Sequence, residues 1–190
     1  MKKSNIIKFL LMAVLFSASA AGCKKDPDNP NDPQDPNNEP EQITKVKLTF
    51  TNDSTNAVSA FTWADDDGVG GLDPIIDEIV LSPASSYSVA IDFIDGSGVE
   101  DESLTPEITT ESDEHLVCFE PNSELANSIS IDRTDTDGTF EIGLTSTWVT
   151  GQAAEAAITI SLKHQPDGAK DGTCTPGETD VEVIFVVKIQ

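Results

Sequence analysis

The side chains that could carry chemistry are few in kind: three cysteines, two histidines and 34 carboxylates in 190 residues. Carboxylates and glycines crowd into two stretches, Asp65-Asp66-Asp67-Gly68-Val69-Gly70-Gly71-Leu72-Asp73 and Asp132-Arg133-Thr134-Asp135-Thr136-Asp137-Gly138. Calcium takes about six to eight oxygen ligands from a flexible loop. Asp65, Asp67 and Asp73 in the first stretch, and Asp132, Asp135 and Asp137 in the second, are candidate ligands. Neither follows the EF-hand pattern. Its first and last ligand positions hold Trp63 and Pro74 in one case and Arg133 and Leu144 in the other. Ordinary hairpin turns favour Asp and Gly as well, so turn and calcium loop stand as alternatives.

Cys118 and Cys174 form an even pair once Cys23 is set aside. In an exported chain such a pair is expected to be a disulfide. It would close a loop of 56 residues, worth roughly 3–4 kcal/mol through the entropy of the unfolded chain. His115 stands three residues before Cys118, and His164 ten before Cys174. These four could form a Cys2His2 zinc site, although the close C-x2-C pairing of such sites is missing and oxidation competes for the thiols. The plainer role for both histidines is hydrogen bonding at strand ends, with a response to pH.

Trp63, Trp148 and Tyr87 could stack on sugar rings. Trp63 lies on an alternating strand and reads as core. Trp148 stands near a strand end, just before Thr150-Gly151, and is the better exposed candidate for glycan stacking, although a core tryptophan is the leading reading here too. The chain has no G-x-S-x-G, H-E-x-x-H or G-x-x-x-x-G-K motif. A hydrolase built on two carboxylates is an alternative that composition cannot single out. The expectation is a protein without catalysis.

Cys23 has a separate meaning. Lys2, Lys3 and Lys8 make a positive start, the stretch from Ile6 to Ala21 is otherwise free of charge and largely apolar, and small residues close it at Gly22. That is the layout of a secretory leader, too short for a spanning helix. Ala20-Ala21-Gly22-Cys23 resembles the lipobox of bacterial lipoproteins, whose cysteine is acylated and becomes the mature N-terminus. Residues 1–22 are therefore read as a lipoprotein signal peptide and Cys23 as the lipidation site, carrying palmitate-type chains. Several acyl chains hold a protein on a bilayer where one holds it only marginally.

Losing the leader leaves 8 basic against 34 acidic residues, a charge of −26. Such a chain stays soluble and does not bind nucleic acid through charge. Residues 23–42 then form a tether: after the cysteine, Lys24 to Gln42 holds five prolines, six acids and four asparagines and no apolar side chain. It cannot offset its ordering entropy and reaches on the order of 50–60 Å when extended. Cys23-Lys24-Lys25-Asp26 resembles the export signal of Bacteroidota surface lipoproteins. The expected location is the outer membrane, facing outward rather than into the periplasm.

Residues 43–190 have the length of one domain. Apolar residues recur with period two in about eight to nine short segments: around Val46–Phe50, Phe61–Trp63, Ile79–Leu81, Tyr87–Phe93, Leu116–Cys118, Ile129–Ile131, Phe140–Leu144, Ile158–Leu162 and Val181–Ile189. Turn residues separate them. This predicts an all-β, two-sheet antiparallel sandwich, immunoglobulin-like or jelly-roll-like. The last strand has Ile184 and Val186 on its second face and is expected to be central. Helix is expected only in short pieces at 123–127 and 152–157, the second being equally a strand start.

His164-Gln165-Pro166-Asp167-Gly168, Lys170-Asp171-Gly172 and Gly177-Glu178-Thr179-Asp180-Val181-Glu182-Val183 are distinctive. So are Glu114-His115 before an apolar strand and Asp135-Thr136-Asp137-Gly138 before Phe140. Together they resemble a group of small Bacteroidota lipoproteins of uncharacterised function, some labelled "type 1 periplasmic binding fold". The resemblance covers most of 43–190 and is firmest from His164 onward. The label implies alternating helices and parallel strands, where the residue pattern implies an all-β body. No catalytic residues carry over, and the resemblance lends the disulfide no support. The expected role is that of an envelope module docking a protein or matrix partner, with a carbohydrate-binding module and a carboxylate-pair hydrolase as alternatives.

Overall fold

A computed structural model describes residues 42–190 other than Val69. The leader, Cys23 and nearly all of the tether lie outside the described residues. What is described is a β-sandwich of eleven strands. One sheet has seven strands: β1 (Lys45–Asn52), β2 (Val58–Ala64), β3 (Ile75–Ile76), β5 (Ser86–Asp95), β6 (Glu102–Ser103), β8 (Ile129–Arg133) and β9 (Thr145–Thr150), in the order β3-β2-β1-β5-β9-β8 with β6 alongside β5. The other has four: β4 (Ile79–Leu81), β7 (His115–Pro121), β10 (Ala154–His164) and β11 (Glu178–Ile189), in the order β4-β11-β10-β7. Pairing is antiparallel except between β4 and β11, which run parallel. The sandwich is therefore not antiparallel throughout.

Period two explains the packing. On β1, Val46, Leu48 and Phe50 are fully buried between outward lysines and threonines. Directly opposite on β5 stand Phe93, Ile91 and Val89. The facing sheet contributes Ile158, Ile160 and Leu162 from β10, and Val183, Phe185 and Val187 from β11. All belong to one apolar cluster. Phe50 meets Phe61, Tyr87 and Trp148 edge-to-face at 5.6, 5.9 and 5.1 Å between centroids, a favourable geometry for aromatic quadrupoles.

The structure departs from the residue pattern in several places. The segment 140–144 is not a strand; it forms a single bridge between Thr136 and Glu141. Gly143, at φ 95°, breaks the extended run. The segment instead straps the two sheets together: Ile142 O accepts from Val117 N–H on β7, and Leu144 O from Ile91 N–H on β5. The true strand, β9, begins one residue later. A helix also went unforeseen, α1 (Thr105–Thr110). Six residues are too few to display a helical period, and only Ile108 is buried in it. β11 is central by hydrogen bonding, as expected, yet its second face is uncovered: Ile184 is 55 % and Val186 44 % exposed.

Candidate functional site

At one end of the sandwich the start of β7 meets the end of β10. His115 and His164 are cross-strand partners there. Side chains opposite each other on an antiparallel pair share one face, so the two imidazoles stack, 4.8 Å between centroids and 6° from parallel. Both are buried. β11 supplies a third group through an irregularity. Between Leu162 and Lys163 the register slips, Leu162 pairing with Val181 but Lys163 with Thr179. Asp180 is the extra residue of this bulge. A bulge re-aims side chains, and the Asp180 carboxylate points inward, 1 % exposed, with Oδ2 4.0 Å from His115 Nε2.

The hydrogen bonds around the cluster set its chemistry. His115 Nδ1 donates to the carbonyl oxygen of Glu111 at 3.1 Å, so the proton of a neutral ring sits on Nδ1 and Nε2 offers a lone pair. His164 Nε2 lies 3.5 Å from Glu114 Oε2 without forming a hydrogen bond. Glu114 is the one partly open member, its side chain 30 % exposed. One ligand atom from each of His115, His164 and Asp180 lies within 4.8 Å of the others. These three could hold a metal ion.

The loop 165–177 closes over this end and is tied down at several points. Gln165, fully buried, donates through Nε2 to the carbonyls of Thr173 and Pro176. Gln165 N–H donates to Glu114 O. Gly177 sits at φ 81°, and a Cβ there would collide with the His164 carbonyl. Lys170 reaches inward to Asp137 Oδ2 at 2.8 Å and Ser112 O at 2.6 Å. Cys174 is joined to Cys118 with Cα atoms 6.0 Å apart.

That disulfide overturns the Cys2His2 zinc set, because bonded thiols cannot ligate a metal. The two histidines do come together, but with Asp180, which the sequence did not single out. Only the register slip brings Asp180 inward, and a slip leaves no mark in residue spacing.

Among the described residues, no three carboxylates of either acidic loop lie close enough together to share an ion. Asp135 accepts the N–H groups of Gly143 and Leu144. Asp137 accepts those of Thr139 and Phe140 besides pairing with Lys170. Asp132 is exposed on β8. In the first loop Asp67 caps Leu72 N–H, while Asp66 pairs with Lys45 at 3.1 Å. Asp65 is half-buried and Asp73 exposed. Asp67, Asp135 and Asp137 thus tie backbone N–H groups of their own loops, as turn acids do.

Trp148 takes its core reading, and the stacking alternative falls. It lies in mid-β9, fully buried, with Nε1 donating to Ser146 Oγ at 3.0 Å. Its ring packs on Phe50 of its own sheet and Phe119 of the other, so no sugar reaches it. Trp63 is half-buried against the core.

At the far end of β11 an open groove of about 340 Å³ is lined by Asn52, Thr55, Ser59, Ser82, Tyr87 and Gln190 with Ala57, Val58, Val80 and Leu81. None of these ten is Asp, Glu, Lys, Arg, His or Cys. Val58 and Val80 stand exposed at it. Comparison of the chain with protein families, curated proteins and solved structures finds no match. Among the described residues, no helix is long and apolar enough to cross a membrane.

Proposed function

We propose that this is a lipid-anchored cell-envelope protein whose sandwich acts as a binding module for an uncharged ligand. The observation that supports this is the groove at the Asn52–Gln190 end. In a chain where 24 % of residues are charged, its walls carry hydroxyls, amides and valines. Such walls desolvate cheaply and hydrogen-bond a neutral polar ligand. The acylated Cys23 would hold the domain to the outer membrane, facing outward, and the 23–42 tether would set its distance.

A carbohydrate ligand remains the form of this reading most open to test. It now rests on hydrogen-bonding walls, Trp148 being buried. An array of neutral oligosaccharides and peptides, probed with wild type and Val80→Asp, tests it. Val80 is an exposed wall residue whose replacement leaves the core intact. Binding that falls at least tenfold in Val80→Asp supports the groove. Binding that is unchanged in the variant, or confined to charged ligands, rejects it.

A further inference from the structure

We propose that His115, His164 and Asp180 form a site for one divalent transition-metal ion of the zinc class. The site lies at the opposite end of β11 from the groove, roughly 30 Å away at the usual rise per strand residue, and is independent of it.

Three features argue for an ion. The first is the donor set. Two imidazoles and a carboxylate suit zinc and its neighbours, whereas calcium and magnesium prefer oxygen throughout. The second is the support behind His115. Its Nδ1–H is held by the Glu111 carbonyl, the arrangement that orients a metal-ligating histidine and turns its other nitrogen toward the ion. The Nε2 lone pair then faces Asp180 Oδ2 across 4.0 Å. The third is charge. Glu114 stands 3.5 Å from His164 Nε2, so two carboxylates accompany two imidazoles, and a divalent ion among them makes the group neutral.

The geometry also says what must move. Lone pairs lie in the planes of their rings, and two parallel stacked planes do not meet. A shared ion therefore needs one ring to tilt away from the 6° parallel arrangement. Zinc with ligands at about 2.0–2.1 Å places its donors about 3.3 Å apart, so the cluster contracts by about an ångström. Asp180, carried on a bulge, and Glu114, ahead of β7, would follow in the metal-bound state. Glu114, partly open to water, is positioned as fourth ligand and entrance.

The chain has only two histidines, which makes the test direct. The full-length protein, stripped of metal, is titrated with Zn²⁺ at neutral pH while the imidazole ring resonances are followed by NMR and heat by calorimetry. Both rings should shift together and stop at one equivalent. The melting temperature should rise by about 5–10 °C at a hundredfold excess over Kd. Asp180→Asn and His164→Gln should each weaken binding at least tenfold, while Asp132→Asn leaves it unchanged. The idea fails if the ring resonances do not move. It fails equally if zinc binds only as several weak equivalents that survive both substitutions, since those would be surface carboxylates. Should the variants not fold, the wild-type ring shifts decide alone.

Discussion

Asp137 shows how one carboxylate is diverted from a ligand's role to a structural one. Burial would raise its pKa, but the Lys170 ammonium and the N–H groups of Phe140 and Thr139 outweigh that and hold it at about 2. Both side chains are nearly buried, 2 % and 6 % exposed. Because the folded value lies below the unfolded one of 3.8, the stabilisation is complete above about pH 4 and is lost as pH falls toward 2. A shift of this size corresponds to about 2 kcal/mol. Urea unfolding at pH 5 and at pH 2.5 should show a loss of that order from this pair, and less in Lys170→Met. At neutral pH, Lys170→Met itself should cost about 3–5 kcal/mol, because it leaves a buried charge without its partner. A cost under 1 kcal/mol would show that water, not Lys170, satisfies the acid.

Among the elements, the loop 165–177 carries the most. It has no regular structure, yet it links the helix end, β7 and the histidine pair through Gln165, Lys170, Cys174 and Gly177. Cutting the disulfide with Cys118→Ala/Cys174→Ala should lower stability by roughly 3–4 kcal/mol, the entropy of a 56-residue loop. It should leave the β-sheet circular dichroism in place, because β10 and β11 pair along their whole length without it. An unchanged melting temperature would mean that the side-chain ties hold the loop alone. Most strands were legible because half-buried sheets write period two into sequence. The segment 140–144 wrote the same signal for another reason. Ile142 and Leu144 are buried as a strap between sheets, and burial alone does not distinguish a strap from a strand.

For the whole molecule, the strong acidity of the chain suits the proposed anchored role, in which an anionic bilayer would repel the body. Metabolic labelling with a fatty-acid analogue should mark wild type and spare Cys23→Ser, which should leave the membrane fraction. Equal labelling of both would remove the anchor from the proposed function. The same charge predicts weak affinity for anionic surfaces in general.

What residue order alone determined was the two-layered strand architecture and the pairing of Cys118 with Cys174. These follow from periodicity and from the even count of thiols left after Cys23. The tertiary structure decided which polar residues share a space. It stacked His115 on His164 by setting the register of β7 against β10. It turned Asp180 inward through a one-residue slip, and it sank Trp148 between two sheets. Register and bulge position arise from the sum of contacts across both sheets, so no short stretch of sequence encodes them.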